Sequence, residues 1–184
     1  MHLVFFLEER SAKVMLEGLL PRFLPDTVTF RCISFDGKQD LERQLPKRLK
    51  AWLDPNSHFV VLRDQDSGDC REIKKRLLGI CQHAGKPDAL IRIACRELES
   101  WYLGDLRAVE DALGPKGLSK HQCKRKFRNP DLLNNAKEEL KKVCKEYQEI
   151  GGSREIAKHL SLEKNTSTSF LMFIQGVRRI ITDD

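Results

Sequence analysis

The sequence predicts an α/β fold: a four-stranded parallel sheet flanked by helices, with a helical extension toward the C-terminus. Three observations carry this. Short apolar runs alternate with segments of helical spacing across residues 1–100. The runs are continuously apolar, as strands covered on both faces should be. After Glu97 the strand signals fade and amphipathic helical patterns take over.

The elements follow in order. Leu3–Leu7 is a short apolar run and reads as the first strand. Ser11 can cap a helix, and Met15, Leu16, Leu19, Leu20 and Phe23 keep helical spacing until Pro25. Val28–Phe35 (VTFRCISF) reads as a second strand. Leu41, Leu45, Leu49 and Trp52 mark a second helix, and His58–Leu62 a third strand. Asp69 and Glu72 form a capping pair for a helix that buries Cys70, Ile73, Leu77, Cys81 and Ala84. Leu90–Cys95 (LIRIAC) is the fourth strand. Such alternation argues for a parallel sheet with helices packed on its faces. Beyond it, residues 100–112 look helical and Gly114–Pro130 is a basic connector. Leu133 to Tyr147, Ser153–Leu160 and Ser167–Ile181 are three further helical patterns. The division expected is an α/β domain over 1–100 and a helical extension over 101–184, docked on it.

Composition narrows the class. A net charge of +6 and a pI near 9.0 permit an anionic partner such as nucleic acid without demanding one. No apolar run approaches a membrane span. MHLVFFLEER lacks a basic leader and a small-residue cleavage site, so it reads as a strand rather than a signal peptide. The cysteines at 32, 70, 81, 95, 123 and 144 form no C-x-x-C pair. Buried reduced thiols in a cytoplasmic protein are the expectation.

The chemistry gathers at strand ends. In open parallel sheets ligands bind beyond the carboxyl ends of the strands, where the strand order reverses. With the order 2-1-3-4 that point lies between strands one and three. Strand one ends in Glu8-Glu9, strand three in Asp64-Gln65-Asp66, and strand four in Arg96-Glu97-Leu98-Glu99. If the backbone stays extended, Asp64 and Asp66 point the same way. Carboxylates gathered on one edge suit a hard divalent cation, Mg²⁺ or Mn²⁺. Taken singly, each acid has a plainer reading as a helix cap or a surface charge. There is no G-x-x-x-x-G-K-[ST] loop, and EERSAK after strand one has no glycine for a dinucleotide. A receiver domain would need a lysine after a fifth parallel strand, and no fifth strand is evident.

A glutamate ending strand one, a D-x-D ending strand three and no P-loop resemble the TOPRIM (topoisomerase–primase) pattern over about the first hundred residues. VLRDQDSGDC, RIACRELESWYLGDL and SFLMFIQGVRR resemble, over nearly the whole chain, a bacterial TOPRIM-like family of domain-of-unknown-function proteins. That family is related to the overcoming-lysogenization-defect (OLD) nucleases. The resemblance implies a Rossmann-like TOPRIM core, nuclease activity, an AAA-type ATPase partner and a place in phage defence. By position it makes Glu8, Asp64 and Asp66 the catalytic acids, and adds Glu97 and Glu99 as metal ligands. One departure stands out: the pattern has glycine after its glutamate, and this chain has Glu9. Either glutamate is then free to face the site.

The expected function is divalent-metal-dependent phosphodiester hydrolysis of nucleic acid. The metal would stabilise transition-state charge, and a glutamate off the metal would move the proton. Lys120, Lys124, Arg125, Lys126 and Arg128 in the connector are positioned to grip a nucleic-acid backbone. A solvated loop balancing the acidic edge is the plainer account. Arg63 and Arg96 read as structural ion pairs, and Trp101 and Tyr102 as core. The rival function is a non-catalytic subunit that binds nucleic acid or serves an ATPase.

Overall fold

The computed structural model describes residues 1–183. Strands β1 (His2–Leu7), β2 (Thr29–Ser34), β3 (Ser57–Asp64) and β4 (Leu90–Ala94) form one parallel sheet in the order β2-β1-β3-β4. This is the architecture the alternating runs predict. Helices α1 (Arg10–Leu19), α2 (Lys38–Lys50) and α3 (Cys70–His83) are the crossovers. Five more follow: α4 (Glu99–Leu103), α5 (Leu106–Leu113), α6 (Ala136–Val143), α7 (Glu149–Ala157) and α8 (Thr168–Asp183). Among the described residues no helix is long and apolar enough to cross a membrane.

The period-two alternation of the strands splits the core in two. Leu3, Phe5, Leu7, Val60, Leu62 and Ala94 join the core shared with α1 and the helices from α4 onward. Val4, Phe6, Phe59, Val61 and Ile91 belong instead with Leu41, Leu45 and Leu49 of α2 and Ile73, Leu77 and Cys81 of α3. Residues 1–94 thus supply a sheet whose second face is closed by segments far along the chain.

Local chemistry sets the boundaries. Asp69 caps α3 as expected, its Oδ1 accepting from the Arg71 and Glu72 amides at 2.7 and 3.2 Å. Ser11 does not cap α1. Glu9 is the N-cap residue, and the Ser11 hydroxyl donates to the Glu9 carboxylate from inside the helix. The single helix expected over 100–112 is two. Asp105 starts α5 by accepting from Ala108 N at 3.1 Å and ties back to Ser161 N at 2.7 Å. Gly104 leaves room for this crossing: a Cβ there would meet Asn165 Oδ1 at 2.0 Å.

The pattern running to Tyr147 breaks too. Cys144 is extended, which ends α6 at Val143 and frees Tyr147 to turn inward. Its ring lies against Gly152, where a Cβ would sit 2.5 Å from Tyr147 Cδ2. The expectation of buried thiols holds for Cys32, Cys81 and Cys144, whereas Cys70 and Cys95 are partly exposed and Cys123 is exposed. Burial pushes the Cys32 thiol up to about 12 and Cys81 to about 11, so both stay protonated at neutral pH.

Candidate active site

The site forms where the chain leaves three neighbouring strands. Glu8 follows β1, Asp64 closes β3, and Glu99 opens α4 just after β4. Parallel pairing in register brings these ends to one edge. Glu8 Oε2 accepts from the Asp64 amide at 3.1 Å, across the gap between β1 and β3. Asp64 Oδ2 accepts from the Leu98 amide at 3.1 Å, across the gap from β3 to the segment after β4. Glu8 therefore spans the reversal point between β1 and β3, and Asp64 spans the neighbouring gap, each held by a backbone amide on the far side.

Electrostatics mark out the members of the cluster. The Asp64 carboxyl is raised well above the usual carboxylate range, first by burial, then by the charges of Glu9, Glu99 and Glu8 in that order. Burial likewise raises Glu8, with Asp66 adding to it, while its bond to the Asp64 amide and the Arg63 charge pull it down. Glu9 is raised by burial and by Glu149, against the Ser11 hydroxyl and Lys137. Burial lifts Glu99 to about 7. Its Oε1 accepts from the Tyr147 hydroxyl at 2.9 Å. Glu99 is only 3% exposed, and Tyr102 and Tyr147 beneath it are fully covered or nearly so. Burial is the first cause for all four, and like charge adds to it: Glu9, Glu99 and Glu8 act on Asp64, and Glu9 acts on Glu8 and Glu99.

Both glutamates after β1 thus act on the site. Glu8 touches Asp64 through the backbone, and Glu9, the departure from the TOPRIM pattern, is the strongest charge on the Asp64 side chain. Asp66 stands apart. The segment after Asp64 is not extended: Asp66 takes a left-handed φ of 54° and Arg96 one of 65°. Asp66 N donates to Arg96 O at 2.7 Å, locking the two loops together, and Asp66 Oδ2 receives Lys38 Nζ at 2.7 Å. The aligned pair expected from an unbroken strand is therefore absent; Asp66 lies at the rim. Glu97 is engaged by the backbone, its Oε2 accepting from the Lys137 amide at the start of α6 at 2.8 Å.

The donor set is all oxygen and suits Mg²⁺ or Mn²⁺. Among the described residues no three His, Cys, Asp or Glu side chains converge as placed to hold a metal ion. Three are not required: Mg²⁺ is commonly held by one or two carboxylates, with waters and substrate phosphates completing the shell. Glu8 and Asp64 are the two carboxylates that could supply it, each with one oxygen held by an amide.

Arg63 is the structural ion pair expected. It is 5% exposed, bonds Glu42 Oε1 through Nη1 at 2.6 Å, and brings Nε to 3.6 Å from Glu8 Oε2. Trp101 is core, its indole donating to Ser169 Oγ at 2.8 Å. In the connector, Lys120, Lys124, Arg125, Lys126 and Arg128 are exposed, and Phe127 is buried rather than available to stack on a base. Lys126 is paired with Glu139, so it is the least free of the five. Three groups around the cluster escaped the sequence reading. Lys137, Glu149 and Lys38 come from helix starts that pattern alone cannot place beside β1 and β3. Only the register of the fold reveals them.

The chain belongs to the family described as Domain of unknown function (DUF4276), whose model matches residues 7–178. Among solved structures it is similar to the C-terminal region of the Burkholderia pseudomallei OLD protein. The TM-score is 0.54 at 17% identity, over 97% of this chain and 98% of the other. At that identity the likeness speaks to the fold. No curated protein matches the chain.

Proposed function

We propose that this DUF4276 protein is a divalent-metal-dependent phosphodiesterase acting on nucleic acid, with a TOPRIM-type site. The observation that carries the reading is the gathering of Glu8, Glu9, Asp64 and Glu99 at the carboxyl edge of β1, β3 and β4, where burial lifts all four carboxyls. Such perturbed groups concentrate at functional sites. The OLD-like fold supports a nuclease class by analogy. The AAA-type ATPase partner and the role in phage defence belong to the same proposal and rest on the family resemblance.

Glu8 and Asp64 would hold the cation, with Asp66 at the rim as a further oxygen donor. When bound, Mg²⁺ or Mn²⁺ supplies charge stabilisation at the phosphorus oxygens and a more acidic water. The chain does the rest. Backbone amides of Asp64 and Leu98 fix the two carboxylates, so no reorganisation is needed when charge develops. Proton transfer to the leaving oxygen requires a carboxyl off the cation, because a nearby positive charge lowers a carboxylate's pKa. Glu99 is the group suited to it: burial holds it near 7, and the Tyr147 hydroxyl fixes its position. The exposed cations of the connector would add backbone affinity.

A non-catalytic binding subunit is the competing reading. One observation favours it: the carboxylates as placed do not close a three-ligand set. The test is cleavage of supercoiled plasmid and of RNA in Mn²⁺, parent against Asp64→Asn. The nuclease reading expects cleavage that EDTA and the substitution both abolish. Equal cleavage by both proteins, or metal binding with no cleavage of either substrate even with an ATPase partner present, overturns it.

A further inference from the structure

Cys70 and Cys95 share the wall of one cavity, and we propose that they form an oxidisable dithiol: a peroxide closes a disulfide between the start of α3 and the end of β4. The inference stands apart from the phosphodiesterase reading and needs no nucleic acid. Two periodicities bring the thiols together. Ile91 belongs to the core of α2 and α3, and Ile93 packs against it. Side chains alternate along a strand, so Cys95 continues the face of Ile91 and Ile93. On α3, Cys70 lies three residues before Ile73 and seven before Leu77, on the helix face that enters the same core. The loop before α3 is pinned to the same place. Gln65 N donates to Ala94 O at 2.9 Å, and Arg96 N to Gln65 Oε1 at 3.2 Å, which are the residues on either side of Cys95.

The cavity holds about 290 Å³, and no other cysteine lines it. Both thiols are partly exposed, so a small oxidant can reach them. The Cys95 thiol is raised, first by burial and then by Asp131, and Cys70 is among the further charges that act on it, which places the two sulfurs within electrostatic reach. Arg71 and Lys74 line the cavity too, are exposed, and make no ion pair among the described residues. Asp131 on the opposite wall is taken up by the Ser167 hydroxyl at 2.6 Å and the Ser169 amide at 2.8 Å. Partly exposed thiols beside free cations are the kind that oxidise. In the reaction the Cys70 sulfur attacks one peroxide oxygen, the O–O bond breaks, and the hydroxide released takes the thiol proton to give water. The Cys95 sulfur then attacks the sulfenic sulfur of Cys70. The S–S bond forms, the S–O bond breaks, and the second hydroxide leaves as water with the Cys95 proton. Two electrons pass from the sulfurs to one peroxide. The bond would fasten the loops after β3 and β4 at a second point, beside the link from Asp66 N to Arg96 O at 2.7 Å.

The experiment treats the folded full chain with hydrogen peroxide, alkylates the remaining thiols and maps the peptides by mass spectrometry. A disulfide tolerates Cα separations of only about 4.4–6.8 Å, so a bond formed in the native state reports on this geometry. Two of the six cysteines should escape alkylation as one peptide pair joined through Cys70 and Cys95, and dithiothreitol should restore both. Cys70→Ser and Cys95→Ser should each abolish the joined pair, and Cys123→Ser should leave it in full, with thermal melts confirming that the variants are folded. The map of the parent chain decides the matter even where a serine variant is unstable. Full alkylation of Cys70 and Cys95 after peroxide has consumed Cys123 overturns the proposal. Recovery of the two only as sulfinic acids, or only in disulfides between two chains, overturns it as well.

Discussion

Two sets of glutamates sit in opposite surroundings. Near the connector, Glu110 accepts from the Gly117 and Ser119 amides at 3.1 and 2.8 Å, and those bonds hold its carboxyl down at about 2. Glu139 lies under Lys126 and Lys142, and both pull its carboxyl down. At the strand ends, Glu8, Glu9 and Glu99 are raised, and burial is the first cause in each. The residue type is the same, and what differs is compensation. Carboxylates that serve the fold are given donors and cations enough to stay charged. Those at the sheet edge are gathered with fewer, as a fold would not arrange them for stability alone.

The sharpest way to break this comparison is substitution at both ends of it. Asp64→Asn should abolish metal-dependent cleavage, a loss of several orders of magnitude, with the melting temperature unchanged or raised. It removes one of four repelling charges at nearly constant shape. Activity assay and thermal melt on one sample decide it, and a parent-like rate would make Asp64 structural. Glu139→Gln should do the reverse, leaving cleavage intact and costing about 1 kcal/mol, since both lysines are half exposed and solvent screens the pairs. A chain of this size loses about 2–4 °C for each kcal/mol.

The pH dependence sharpens the contrast further. Glu99 titrates near 7 in the folded protein against an ordinary 4.5, so the native state holds the extra proton between those values. Stability in EDTA should therefore be full below about pH 4.5 for this group and fall as pH rises toward 7. Glu99→Gln should remove that part of the decline, and saturating Mn²⁺ should recover stability above pH 7 in the parent. Glu110, titrating near 2, contributes nothing in that window. Melts at pH 5.5 and 8 (about 2.5 units apart) check both proteins. The smallest effect expected is in the connector. Neutralising Lys124, Arg125 and Lys126 together should flatten the salt dependence of oligonucleotide binding by about one unit per lost contact. Because Lys126 is already spent on Glu139, Lys124 and Arg125 should account for most of the change.

How far the sequence reached follows from the range of its signals. The sheet was legible because each strand declares itself within a few residues, and the strand-end acids came with it: Glu8, Asp64 and Glu99 meet as the order 2-1-3-4 requires. The orientation of Asp66 was not legible, because it turns on one backbone angle set by a bond to Arg96, thirty residues on. The end of α6 was not legible either. Tyr147 has the right spacing to continue that helix and is drawn out of it by Gly152 and Glu99, which lie elsewhere in the chain. The same holds for Lys38, Lys137 and Glu149, whose importance depends on which strand each helix follows. Short-range periodicity finds scaffolding; long-range contacts decide the surroundings of a charge.

The paired loops at the mouth carry one more implication. Asp66 and Arg96 both sit at positive φ, and neither is glycine. Aspartate tolerates that region better than most side chains, while for arginine it costs roughly 1–2 kcal/mol. A glycine at 96 would relax the backbone at once, yet it would also loosen the link by which Asp66 N reaches Arg96 O at 2.7 Å. The mouth is thus a cocked joint rather than a slack one. Its shape is held by the chain's own backbone, so under the phosphodiesterase reading binding would not spend affinity on assembling it.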